Sequence, residues 1–111
     1  MLDTKALIAK VLNYLLPESR KTLSTSIHYQ KKAGLVFVEF YGSFSLSTSW
    51  TTAGTLPAGY RPATIFYFAC TTITDNSNII GYINSSGTIG LRTASGSGSK
   101  SVESLVAFIA E

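Results

Sequence analysis

The sequence predicts an antiparallel β-sandwich preceded by one short α-helix. Three observations lead there. Of 111 residues, 28 are Ser or Thr, 12% are aromatic and only 14% are charged, a composition suited to pleated, half-buried strands. From residue 22 onward, short apolar runs alternate with Gly, Ser and Asn clusters at close spacing, the pattern of many short strands. Apolar residues make up 45% of the chain, enough for one packed core, and the length suits a single domain.

The helix is expected over residues 3–16, within an N-terminal segment 1–20. Asp3 or Thr4 can cap it, because a short polar side chain accepts from the free N–H groups of a first helical turn. Leu7, Ile8, Val11, Leu12, Leu15 and Leu16 recur at helical spacing, and Pro17 ends the pattern. About fourteen residues is marginal for an isolated helix. Its stripe therefore needs a surface, either the domain itself or copies of the same helix in a short bundle.

The sandwich domain is expected over residues 21–111, with strands near 23–30, 34–41, 44–52, 64–73, 78–83, 88–93 and 101–110. Lys31-Lys32-Ala33-Gly34 reads as a hairpin turn and Gly42-Ser43 as a bend or bulge. Asn84-Ser85-Ser86-Gly87 reads as a tight hairpin in which Gly87 takes positive φ, and Ser95-Gly96-Ser97-Gly98-Ser99 as a loop. The strand 44–52, with Ser45, Ser47 and Ser49 alternating with Leu46, Thr48 and Trp50, reads as half exposed.

Three strands are apolar on both faces. In 35–41, Leu35, Phe37 and Tyr41 alternate with Val36, Val38 and Phe40, and the runs 65–70 and 105–110 behave alike. An antiparallel sheet with one wet face alternates apolar and polar, and a two-layer sandwich buries one face per sheet. The second apolar faces need partners, and one short helix covers at most one of them. The pattern therefore predicts an oligomer, with cyclic symmetry as the default. A barrel wrapped around its own helix is the alternative.

Several classes are disfavoured. The single Cys70 excludes an intramolecular disulfide framework and a Cys-cluster zinc site, and the single His28 leaves little for His-based catalysis or metal binding. No apolar run approaches the roughly 18 residues of a spanning helix, so membrane insertion is not expected. Charges inside the N-terminal apolar stretch and the lack of a small-residue cleavage site make it a poor signal peptide. The net charge of +3 comes from residues 1–32, which carry +4 against −1 in the remainder. Lys5, Lys10, Arg20, Lys21, Lys31 and Lys32 lie there against Asp3 and Glu18. They do not interleave with aromatics, so a solvated helix face and turn is expected and nucleic acid is not.

No carboxylate pair stands out for acid–base chemistry. Glu39, in a very apolar strand, is expected at an edge or paired with a cation. A depolymerase would need two acids, drawn across subunits from Glu39, Asp75 or Glu103. His28 lacks a G-x-S-x-G partner, and Cys70 reads as a small buried hydrophobe. Gly96 and Gly98 follow no βαβ unit, so a dinucleotide cradle is not expected. No cofactor and no metal are predicted, and the chain is not expected to be an enzyme. Carbohydrate needs only an aromatic platform and polar groups for hydroxyls. The Asx-rich loop Asp75-Asn76-Ser77-Asn78, with Tyr82 and Arg92 on adjoining strands, supplies candidates: Asp75, Asn76, Asn78, Tyr82 and Arg92. Such a site is weak per copy and gains from multiplicity in an oligomer. An ordinary Asx turn is the competing reading of the loop.

Gly54-Thr55-Leu56-Pro57-Ala58-Gly59-Tyr60-Arg61-Pro62 precedes an aromatic strand, then Gly81-Tyr82-Ile83-Asn84-Ser85-Ser86-Gly87-Thr88-Ile89 and a closing apolar strand. This order resembles the C-terminal domains of phage and prophage tail-fibre, baseplate and receptor-binding proteins, over residues 25 to 110. Leu2-Asp3-Thr4-Lys5-Ala6-Leu7-Ile8, followed by a strand of the Leu35-Val36-Phe37-Val38 type, is also similar to them. The resemblance implies a jelly-roll-like sandwich of seven to eight strands and a homotrimer. It also implies adhesion to a host-cell surface saccharide, and a place in the virion or, before assembly, in the cytoplasm of a lysogenic host. A purely structural trimerisation or capping module is the alternative. In the loop itself, Leu56, Pro57, Gly59, Tyr60, Arg61 and Pro62 read as structural. Pro57 fixes φ, Gly59 allows a turn, Tyr60 packs beneath, Arg61 pairs or bonds to carbonyls, and the whole shapes a crossover between sheets.

Overall fold

The computed structural model describes residues 19–72 and 75–110. The helix expected over 3–16 lies outside them. Among the described residues eight strands form: β1 Lys21–Ser24, β2 Ile27–Lys32, β3 Leu35–Leu46, β4 Thr51–Thr55, β5 Phe66–Thr71, β6 Asn78–Ile83, β7 Thr88–Thr93 and β8 Gly98–Ile109. They make two four-stranded antiparallel sheets, β1-β2-β3-β8 and β4-β7-β6-β5. The layers are open sheets rather than a closed barrel. The second sheet is a Greek key, since β5-β6-β7 is a meander and β4 lies beside β7. The first sheet is a meander extended by β8, so the strand order carries one Greek key where a jelly roll has two.

Three strand boundaries differ from the sequence reading. The run 23–30 splits into β1 and β2, because Ser24 Oγ accepts from the Ser26 N–H (3.3 Å) and turns the chain at Thr25-Ser26. The run 44–52 is not one strand. β3 continues unbroken through Gly42-Ser43 to Leu46, because β8 pairs with it along its whole length, from Leu35↔Ile109 to Leu46↔Gly98. Ser47 to Trp50 then carry the chain to the other sheet, with the Ser49 N–H bonded to Ser47 Oγ. The same pairing draws Gly98 and Ser99 out of the glycine-rich loop into β8. The hairpin assignments agree with the structure. Ala33 and Gly34, φ +51° and +80°, form the β2–β3 turn, and Gly87, φ +85°, closes the β6–β7 turn with its N–H on the Asn84 carbonyl.

Strand alternation decides the core. Ile27, Val36, Val38, Phe40 and Leu46, with Val102, Val106 and Phe108 of β8, point inward from the first sheet; Ile79, Ile83, Ile89 and Leu91 meet them from the second. Each such side chain contributes about 1.5–3 kcal/mol on burial. Phe40–Phe68 (5.3 Å between centroids) and Phe66–Phe108 (6.0 Å) join the layers on the β5 side. The opposite residues face out. On the first sheet Leu35, Tyr41, Leu105 and Ile109 are exposed (40, 64, 64 and 75%), and on the second Ile65 and Tyr67 are. The doubly apolar strands thus carry exposed apolar side chains on their outer faces among the described residues.

Candidate functional site

The outer face of the second sheet gathers aromatic side chains around one cation. Tyr67 of β5 stands opposite Tyr82 of β6, and Tyr82 opposite Gly90 of β7. Directly opposed residues of an antiparallel pair share a face, so Tyr67, Tyr82 and Gly90 form one row. The next row is Ala69, Ile80 and Arg92. Thr51 pairs with Leu91, which sets Trp50, the residue before β4, beside Arg92.

Gly90 makes the arrangement possible. A Cβ there would lie 2.2 Å from Cε1 of Tyr82, so the ring lies on bare backbone. From that seat Tyr82 meets Trp50 edge-on at 4.8 Å between centroids and Tyr67 at 6.4 Å. The Arg92 guanidinium sits over the indole, 5.1 Å from its centroid, within cation–π range. Tyr82 and Arg92 are half-buried, whereas Trp50 (45%) and Tyr67 (62%) are open. The result is a platform of π-faces rimmed by hydroxyls and a guanidinium. Such a surface stacks against the C–H face of a planar or cyclic ligand and bonds to its polar rim.

Of the predicted ligand residues, Tyr82 and Arg92 belong to this platform. Asn78 is exposed and opposite Thr71 at the sheet's end, its Oδ1 accepting from Thr71 Oγ1 (3.4 Å). Asn76 is an exposed loop residue at φ +57°. Asp75 has a different task. Its carboxylate accepts from Lys100 Nζ (2.7 Å), from the Thr72 hydroxyl and from the Ser77 N–H (3.0 Å). Lys100 is buried, 7% exposed, and also donates to Ser77 Oγ (3.1 Å). The Lys100 bond first, then those of Thr72 and Ser77, hold the Asp75 carboxyl well below the usual carboxylate range. Asp75 therefore pins its loop to β8.

Trp50 and Tyr67 were missed by the sequence reading. The sequence places Trp50 in a half-exposed strand 44–52 and Tyr67 on the second apolar face of 65–70. A usable signal was present in the parity of 67 and 69 against Phe66, Phe68 and Cys70. The row that joins these residues to Tyr82 depends on registers between strands, which the sequence does not state.

Contrary to the sequence reading, the Leu56–Pro62 segment does not cross between sheets. It joins β4 to β5, the two edges of the same sheet, because β6 and β7 occupy the middle. The chain arches over the end of the sandwich, touching the first sheet through a Pro62–Ala110 bridge. Leu56 is fully buried, and its N–H bonds to the Gly87 carbonyl (2.9 Å) while its carbonyl accepts from Arg61 Nε (2.8 Å). A Cβ on Gly87 would lie 2.4 Å from that carbonyl. The Tyr60 N–H bonds to the Pro57 carbonyl (3.2 Å), with Gly59 at φ +91° in the turn. The Tyr60 ring packs edge-on against Tyr29 at 5.0 Å.

On the first sheet's outer face Glu39 is ion-paired with Arg20 (2.5 Å). His28 stands opposite Glu39, its Nδ1 buried with no hydrogen-bond partner among the described residues. With Phe37 and Leu105 they line a concavity of about 180 Å³. Glu103, opposite Tyr41, lies diagonally from Glu39, which is opposite Leu105. Cys70 points inward from β5, and burial pushes its thiol pKa up. Gly96 accepts the buried Thr93 hydroxyl at its carbonyl (2.7 Å), closing the β7–β8 loop on itself. No group of three His, Cys, Asp or Glu side chains that could hold a metal ion occurs among the described residues, and no helix there is long and apolar enough to cross a membrane.

No family model matches the chain, and no curated protein matches it.

Proposed function

We propose that this chain is a non-enzymatic adhesion domain of the phage or prophage tail-tip type, which assembles as a homotrimer and recognises saccharide on a host surface. The observation that carries this reading is the open platform of Trp50, Tyr67 and Tyr82 on the outer face of the second sheet. Aromatic rings exposed on rigid strands suit the apolar face of a pyranose, and a flat site of this size suits weak binding multiplied by copies. The first sheet's outer face supports the assembly. Leu35, Tyr41, Leu105 and Ile109 form an exposed apolar band, flanked by the Arg20–Glu39 pair and Glu103, which is the make-up of an interface core with a polar rim. The Gly54–Pro62 run and the Gly81–Ile89 hairpin support the viral origin, and with it a place in the virion or, before assembly, in the host cytoplasm. Nucleic acid, membrane and cofactor have no role in this reading.

Light scattering behind a sizing column, followed by glycan-array binding, tests it. The expected result is a mass of three chains, reduced to one by Leu105→Glu, and glycan binding abolished by Trp50→Ala. A wild-type monomer would refute the assembly. A stable trimer that binds no glycan would turn the assignment to a structural capping module. Release of reducing ends from polysaccharide, lost on Glu39→Gln or Glu103→Gln, would make it a depolymerase.

A further inference from the structure

We infer that the platform on the second sheet takes a saccharide bearing a carboxylate, with the sugar ring on Trp50 and Tyr67 and the carboxylate on Arg92; this rests on reading that face as a saccharide site. Arg92 has five N–H donors and accepts nothing. Among the described residues its guanidinium has no carboxylate partner: the ion pairs there are Arg20–Glu39 and Lys100–Asp75. Glu103, the remaining described acid, lies on the outer face of the other sheet, opposite Tyr41. The platform is therefore a cationic patch without an acid. Its charge is held in place by the indole, 5.1 Å away, and by strand pairing, since Arg92 sits opposite Ile80 in the centre of the sheet. A solvated arginine on a loop pays side-chain entropy to grip an anion; one already stacked on an aromatic face pays less. The guanidinium fork matches a carboxylate in a two-bond contact. The neighbouring residues in its row, Ile80 and Ala69, offer no competing acceptor side chain. A neutral sugar offers the guanidinium only hydroxyl acceptors, a weaker contact than the charge-assisted one a carboxylate makes.

The test uses the full chain with three immobilised acidic glycans: polygalacturonate, alginate and polysialic acid. Each is presented beside its methyl ester, which keeps the rings and removes the charge. Binding to at least one acid over its ester by about ten-fold or more is expected, the worth of one charge-assisted contact. Arg92→Gln should erase that preference, so that acid and ester bind alike, with the native mass unchanged. Arg92→Lys should retain part of it, and Trp50→Ala should lose both signals. Raised salt should weaken acid binding and spare ester binding. Equal binding to acid and ester, or an acid preference that survives Arg92→Gln, overturns the carboxylate assignment and leaves saccharide adhesion standing. No binding to any acid or ester overturns both.

Discussion

Replacing Gly90 by Ala probes the platform at its foundation. The new Cβ would fall 2.2 Å from Cε1 and 2.5 Å from Cζ of Tyr82. Gly90 is not among the residues at positive φ, so the backbone accepts Ala and the ring has to move. Lifting Tyr82 breaks its contacts with Trp50 at 4.8 Å and Tyr67 at 6.4 Å. Each aromatic pair is worth about 0.5–1.5 kcal/mol, so about 1–3 kcal/mol is at stake. Ala recovers about 0.5–1 kcal/mol over Gly through the lower entropy of the unfolded chain. The net loss is about 1 kcal/mol, or a fall in Tm of about 4–8 °C for a domain of this size. Trp50 is the only tryptophan in the chain, so its near-UV circular dichroism and fluorescence report the platform directly. Both should change before unfolding, and glycan binding should fall. In a Tyr82→Ala background the cost of Gly90→Ala should vanish, since the two sites act through one contact. An unchanged Trp50 spectrum with an unchanged Tm, or full additivity of the two substitutions, would refute the seating of Tyr82 on Gly90.

Other perturbations reach the loops. Asp75→Asn leaves the buried Lys100 ammonium without its counter-charge and should lower Tm, while Asp75→Asn with Lys100→Met should be more stable than Asp75→Asn alone, by thermal melts at pH 7. Because the Asp75 carboxyl titrates below its unfolded value, its contribution is complete above the unfolded pKa, about 4. It is lost as pH falls from there through the depressed folded pKa, so wild type should lose more stability than Asp75→Asn between about pH 5 and the acid limit. Leu56→Ala should cost about 2–5 kcal/mol in urea unfolding, for a fully buried side chain at the loop's root. Arg61→Ala should cost about 1–3 kcal/mol through the lost bond to the Leu56 carbonyl. Ala33→Asn should raise stability by about 0.5–1 kcal/mol, because Ala33 holds φ +51° in a two-residue hairpin turn where Asn is at ease. Cys70 should resist alkylation in the native state at pH 8 and react on unfolding.

The amino-acid pattern by itself determined the class of this protein and much of its wiring. Alternation in 35–41 and 105–110 sorted the side chains onto two faces, because the side-chain period of a strand is two wherever it runs, but with both faces apolar it did not say which turns inward. Ala33-Gly34 and Asn84–Gly87 announced their hairpins, because a turn's chemistry is local: a glycine or an Asx residue at positive φ needs no distant partner. The apolar second faces were likewise legible, and Leu35, Tyr41, Leu105 and Ile109 are exposed. Pairing between distant strands was not. That β3 continues to Leu46 follows from β8 lying beside it, Gly98 opposite Leu46, and the polar Ser43, Ser45 and Ser47 hid that continuity. The arch of Leu56–Pro62 between edges of one sheet follows from where β6 and β7 insert. The platform belongs to the same order of information. Trp50, Tyr67, Tyr82 and Arg92 come from three strands and a crossing loop, and Asp75 left the candidate site because Lys100, twenty-five residues away, reached it first. Registers across strands are settled by packing both sheets at once, and only the tertiary structure carries that result.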